Sequence, residues 1–188
     1  MRQFCIPMLA AVLMFSSSLA GAEELKSGLQ AGDFIGAFYV TKAAGAKSDG
    51  VAIGKNLCYR CKNGGRPQVM VFTRSTDDKV VKLVQGLDKA IAKNSSKQLR
   101  AFVNLLGEDK EALTEEAVKL SKASKTKNVP FVVPNEAENG PDNYGINAKA
   151  DVTIIIAAGG KVTANHASGK SKDLNVEAVL ADVANALN

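Results

Sequence analysis

The chain has 188 residues, 46% hydrophobic and 23% charged, with 24 Lys and Arg against 19 Asp and Glu. Core-forming and solvating residues in that balance exclude a disordered, collagen-like or membrane-spanning chain and predict one globular domain. The positive excess is small and its lysines are scattered among few aromatics. This reads as a solvated, mildly cationic surface and implies no nucleic-acid partner.

In chain order, Met1-Arg2 supplies a positive start and residues 4–15 form an apolar run. Ser16-Ser17-Ser18-Leu19 then leads to Ala20-Gly21-Ala22, a small-x-small cleavage pattern before Glu23-Glu24. The layout predicts a secretory signal peptide over residues 1–22, too short to span a bilayer, and a single domain over residues 23–188. No other stretch approaches the roughly 18 apolar residues a membrane helix needs, so no integral membrane segment is expected. Cleavage would leave 23 basic against 19 acidic groups, since the leader holds Arg2 and no carboxylate. The protein is therefore expected to be exported, to a periplasmic or extracellular location. Cys5 falls in the leader, which leaves Cys58 and Cys61 at C-x-x-C spacing, and an oxidising compartment favours their pairing.

Residues 28–33 carry turn signals, and Phe34-Ile35-Gly36-Ala37-Phe38-Tyr39-Val40-Thr41 reads as a short, Gly-interrupted strand. Residues 42–54, rich in Gly, Ala, Ser and Asp, read as a loop or weak hairpin. The cysteine segment follows, and its Asn63-Gly64-Gly65 and Pro67 argue against a helix running through its end. Gln68-Val69-Met70-Val71-Phe72 is a nearly continuous apolar run, the pattern of a strand buried on both faces. Ser75-Thr76-Asp77-Asp78 offers N-caps for a helix whose Val80, Val81, Leu83, Val84, Leu87 and Ile91 recur at helical spacing. A strand is predicted over residues 99–106, a helix over 114–124, and an extended segment over 129–134 whose prolines suggest limited pairing. Residues 141–144 read as a helical turn. Val152-Thr153-Ile154-Ile155-Ile156-Ala157 and residues 161–167 form a hairpin about Gly159-Gly160, and residues 175–187 close the chain as a helix.

The order strand, helix, strand, helix, extended segment, strand, hairpin, helix predicts an α/β fold, a central mixed sheet flanked by helices on both faces. This layout, with Gly32-Asp33-Phe34-Ile35-Gly36-Ala37-Phe38 at its start and Tyr144-Gly145-Ile146 leading into residues 152–162, resembles the thioredoxin-like superfamily and especially its redoxin and peroxiredoxin-type branch. The likeness runs from about Gly28 to Leu187. It implies a thioredoxin-like fold and thiol–disulfide exchange with protein thiols or disulfides, without a cofactor. The sequence departs from that family at two places. Redoxins hold the reactive cysteine just beyond the central strand, where the following helix favours a thiolate; here those positions read Thr73-Arg74-Ser75-Thr76-Asp77-Asp78. The family's cis-proline position falls on Ala150, where a cis bond would cost about 2.5–4 kcal/mol and a trans bond is expected.

Four readings of Cys58 and Cys61 remain open. As a redox-active dithiol, the pair would have Cys58 attacking and Cys61 resolving, by analogy with dithiol oxidoreductases. Arg60, Lys62 and Arg66 would then favour a thiolate and Tyr59 would shield one sulfur. As a structural disulfide the pair would only clip a tight loop on a non-catalytic binding module. Metal or haem is disfavoured, because zinc wants four ligands and haem attachment wants a histidine where Lys62 stands. Intermolecular pairing is the fourth. The sole histidine, His166, reads as a strand residue, and the carboxylates Glu136, Glu138 and Asp142 do not have calcium-loop spacing. The Thr73–Asp78 edge reads as a helix cap, with binding of a small ligand or peptide as the alternative. The oligomeric state is not legible.

Overall fold

The computed structural model describes residues 25–188; the expected leader and Cys5 lie outside the described residues. Its elements are β1 (Val40–Gly45), β2 (Asn56–Leu57), α1 (Tyr59–Asn63), β3 (Gln68–Thr73), α2 (Asp78–Lys93), β4 (Arg100–Leu105), α3 (Lys110–Ser124), β5 (Pro130–Pro134), β6 (Val152–Ala158), β7 (Lys161–Ser168) and α4 (Val176–Asn185). They build one seven-stranded sheet in the order β2-β1-β5-β4-β3-β6-β7. Strands β3, β4 and β5 run parallel, while β1, β6 and β7 join antiparallel. The result is the mixed α/β sheet that the element order predicts.

Side-chain alternation along β3 decides what covers each face. Val69 and Val71 point into a core with Leu83, Val84 and Leu87 of α2, Leu113, Ala117 and Leu120 of α3, and Val179 and Val183 of α4. Met70 and Phe72 point the other way, toward Ile35, Phe38, Tyr59, Phe102, Tyr144 and Ile146. The three long helices therefore share one face. The other is covered by α1, residues 27–39 and the turn around Asp142–Tyr144. Both faces carry helix, though very unequally.

Three expectations are corrected in detail. The first strand spans Val40–Gly45, later than the apolar run at residues 34–41; residues 34–39 pack across the sheet face and pair with a strand only at the bridge Phe34–Lys161. Its Ala and Gly residues have weak strand propensity; pairing on both sides, with β2 and β5, overrides it. Residues 42–54 are thus strand and hairpin connection together. The segment at Pro130–Pro134 is an interior strand: its prolines sit at the two ends, where β5 pairs with β1 but not with β4. Helix α3 starts at Lys110, because the Asp109 side chain accepts the Glu111 and Ala112 N–H groups and caps it. The β6–β7 hairpin turns on Gly159 (φ 60°) and Gly160 (φ 83°), the two positive angles that favour a Gly-Gly pair.

Of the four cap candidates for α2, Asp77 takes the role and accepts the Lys79 and Val80 N–H groups. Burial works to raise its carboxyl pKa. Hydrogen bonds from the Ser171 hydroxyl, these two amides and Ser75 outweigh it and hold the carboxyl below its ordinary 3.8. A depressed carboxylate contributes stability above its unfolded pKa and loses it as the pH falls through the folded one. Asp77→Ala should therefore cost about 1 kcal/mol at neutral pH, as lost N-caps do. Urea titrations repeated well below pH 3.8 should show the gap to wild type closing.

Candidate active site

Cys58 and Cys61 are joined as a disulfide, with their Cα atoms 5.2 Å apart. Cys58 has extended backbone angles and its sulfur accepts the Cys61 N–H at 3.0 Å, so it caps α1. The sequence shows no helix start here; the structure supplies a short one. Asn63-Gly64-Gly65 marks its end, with the Gly64 N–H closing on the Arg60 and Cys61 carbonyls. The two cysteines are unlike in access: Cys58 is 8% exposed, whereas Cys61 lies at the surface.

The pair is held at the N-terminal end of the parallel strands. Gln68 opens β3, and its side chain accepts from Asn63 and donates to the Gly64 carbonyl. Gly65 accepts from Gly159 of the hairpin turn, and Pro67 from Arg100 at the head of β4. The corner that redoxins use lies beyond the other end of β3, a strand length of about 17 Å away. There Thr73, Ser75, Asp77 and Ser171 bond one another and Arg74 donates its N–H to Asp151. Among the described residues no peptide bond is cis, so Ala150 is trans as expected.

The four residues expected to support the sulfurs separate. Tyr59 turns into the core, stacks on Phe102 with ring centroids 5.6 Å apart, and donates to Asp49 at 2.6 Å. Asp49 is itself held by the buried ammonium of Lys42 at 2.7 Å, which also donates to the Ala46 and Val51 carbonyls. No sequence signal points to this triad, since Lys42 reads as a loop residue. Arg60 lies on the opposite side, with its Nη2 beside Gly160 and its charge near the Tyr144 hydroxyl. Lys62 and Arg66 line a cavity of about 390 Å³, together with Tyr59, Asn63, Asp49 and Arg100. Arg100 and the cavity itself are not legible in the sequence, because β4 brings Arg100 to this rim from 34 positions beyond Arg66.

Burial pushes the Tyr59 hydroxyl well above its ordinary 10.0, helped by the hydrogen bond to Asp49 and the charge of that carboxylate. Burial raises Tyr144 likewise, against the opposing pull of Arg60. A raised folded pKa contributes stability that is whole below the unfolded value and is lost as the pH climbs through the folded one. Thermal melts taken progressively above pH 10.0 should show the wild type losing stability faster than a Tyr59→Phe, Tyr144→Phe double variant, which cannot ionise at those sites.

His166 sits on β7 with its Nε2 2.9 Å from Asp182 of α4, far in the fold from the cysteines and without a nucleophile beside it. No group of three or more His, Cys, Asp or Glu side chains is placed to hold a metal among the described residues. No helix of the described residues is long and apolar enough to cross a membrane.

No family model matches the chain, and no curated protein matches it in sequence. Solved structures do match. Mycobacterium tuberculosis AhpC is similar at a TM-score of 0.62 and 15% identity, covering 85% of this chain and 99% of its own. The thioredoxin domain of a thiol-disulfide oxidoreductase from Bacteroides vulgatus is similar at 0.61 and 15%, with the same coverage of 85% and 99%. Thiol peroxidase from Chromobacterium violaceum follows at 0.55 and 10%, covering 85% of this chain and 89% of its own. Together with the strand order, these likenesses establish that the chain has the thioredoxin-like fold of redoxin and peroxiredoxin-type proteins.

Proposed function

We propose that the protein is an exported thiol–disulfide oxidoreductase working through Cys58 and Cys61, with protein thiols or disulfides as partners. The observation that carries this is the asymmetry of the pair: an exposed Cys61 joined to a buried Cys58, whose sulfur accepts the Cys61 N–H. An incoming thiolate attacks Cys61, the Cys58–Cys61 bond breaks, and its electron pair leaves on Cys58. A hydrogen bond to the charged form lowers a thiol pKa, and a lower-pKa thiol leaves faster. A second thiol of the partner then attacks the mixed disulfide, releasing Cys61 as thiolate. The partner loses two electrons and the protein gains them; the reverse sequence reduces a partner disulfide. In either direction the mixed disulfide forms on Cys61, the opposite of the order read by analogy.

A purely structural role has less to recommend it. Closing a ring of four residues is worth only about 2 kcal/mol in the chain-entropy account. Export rests on the leader pattern of residues 1–22, and N-terminal sequencing of the secreted protein should begin at Glu23. The exchange reading is tested by turnover of insulin disulfides with a supplied reductant. Wild type should turn over repeatedly and Cys61→Ser should not. A wild-type disulfide that survives mild reductants and supports no turnover would leave only the clip on a binding module.

A further inference from the structure

The cavity beside α1 has no role in exchange as described so far, yet its lining is chemically one-sided. Lys62, Arg66 and Arg100 bring three cations to it. Among the described residues none of the three makes an ion pair. The only carboxylate in the lining, Asp49, is already engaged by Lys42 and by the Tyr59 hydroxyl. Arg66 is braced, with its Nε donating to Gln98 at 2.6 Å and its Nη1 to the Lys62 and Asn63 carbonyls. Asn63 and Asn128 add neutral polar groups. At about 390 Å³ the space suits a small molecule and not a folded partner.

Neither cysteine lines the cavity, but the helix that carries them forms one of its walls. Tyr59, Lys62 and Asn63 fall on one face of α1 at the i, i+3, i+4 positions. Cys58 and Cys61 each immediately precede a member of that set, so they occupy the adjacent face, about 100° around the axis. A ligand seated against Lys62 lies one residue from the exposed Cys61.

We propose that this cavity binds small thiols and disulfides that carry carboxylates, and presents their sulfur to Cys61. This rests on the exchange reading and names its small-molecule substrate class. In the reduced protein the Cys61 thiolate attacks one sulfur of the bound disulfide, whose S–S bond breaks with release of one thiolate. The Cys58 thiolate then attacks Cys61, restores the Cys58–Cys61 bond and releases the second. Two electrons pass from the dithiol to the small disulfide, and Lys62, Arg66 and Arg100 hold the carboxylates meanwhile.

The test reacts the reduced protein with oxidised glutathione, neutral 2-hydroxyethyl disulfide and cationic cystamine, each rate normalised to that with free dithiothreitol. At low ionic strength the anionic probe should exceed the cationic one by about tenfold or more, the scale of electrostatic steering. Added salt and the triple change Lys62→Gln, Arg66→Gln, Arg100→Gln should abolish the preference, while Lys172→Gln, at the other end of the sheet, should keep it. Calorimetry with S-methylglutathione, which cannot exchange, reads the cavity separately from the chemistry. Saturable binding lost in the triple variant is expected. If the neutral probe reacts but no charge preference and no S-methylglutathione binding is seen, the anionic subsite is overturned and exchange stands. If no disulfide reacts, the exchange reading fails, and S-methylglutathione binding or its absence still decides the cavity.

Discussion

Replacing Asp49 with alanine is expected to destabilise the protein by about 3 kcal/mol, the lower end of what breaking one side of a buried ion pair costs. Lys42 is 1% exposed, so its ammonium has no route to bulk water once the carboxylate at 2.7 Å is gone. The carbonyls of Ala46 and Val51 still accept from it, which keeps the loss from being larger. The same change frees the Tyr59 hydroxyl and the Val51 N–H that Asp49 accepts. Asp49→Asn, which keeps the shape and removes the charge, should cost less than alanine. Lys42→Met should also cost less than Asp49→Ala, because Asp49 retains some solvent access. Urea unfolding measures the effect as a shifted midpoint at unchanged slope. The loss should extend to the cysteines, since Tyr59 is the α1 side chain that Asp49 ties to the hairpin connection at residues 46–51.

The second large effect is an asymmetry between the two single-cysteine variants. Reduced Cys58→Ser keeps the exposed Cys61 thiol and should collect a stable mixed disulfide readily. Reduced Cys61→Ser keeps only Cys58, 8% exposed, and should react more slowly by on the order of tenfold. Two influences oppose here. The N–H that Cys61 directs at the Cys58 sulfur suits that sulfur to leave, whereas limited access hinders a buried sulfur as attacker. Access decides attack, and thiolate stability decides departure. Mass spectrometry of trapped adducts reads the rates directly; faster trapping on Cys58 would restore the order inferred from dithiol oxidoreductases.

The fold was largely legible because its strongest signals are local. The apolar run at residues 68–72, the helical spacing from Val80 to Ile91 and the Gly159-Gly160 turn each specify an element without help from distant residues. The first strand was misplaced because Val40–Gly45 owes its conformation to pairing with β5, 90 positions away, and to a lysine buried by a partner that only the folded chain supplies. At the site, the C-x-x-C spacing left an intrachain disulfide among several readings, and the structure shows it; the absence of cysteine from Thr73–Asp78 points to its displacement from the redoxin corner. Helix α1 was missed for a definable reason: five residues are too few for periodicity, and a half-cystine sulfur as N-cap lies outside the Ser, Thr, Asp and Asn that usually signal one. Asn63-Gly64-Gly65 does stop the helix as expected, but a stop signal alone does not announce the single turn before it. The cationic cavity was invisible because Arg66 and Arg100 meet only where β3 and β4 align.

The reduction potential of the Cys58–Cys61 pair tests most directly whether sulfurs at this end of the sheet do chemistry. Equilibration against defined thiol–disulfide buffers, read by alkylation and mass, gives the value. A pair that exchanges with its surroundings should lie above about −300 mV, the level below which structural disulfides of secreted proteins resist the glutathione pool. A value well below that level, with Cys61 unreactive despite its exposure, would contradict the account and leave a fold that has kept its scaffold without its reaction.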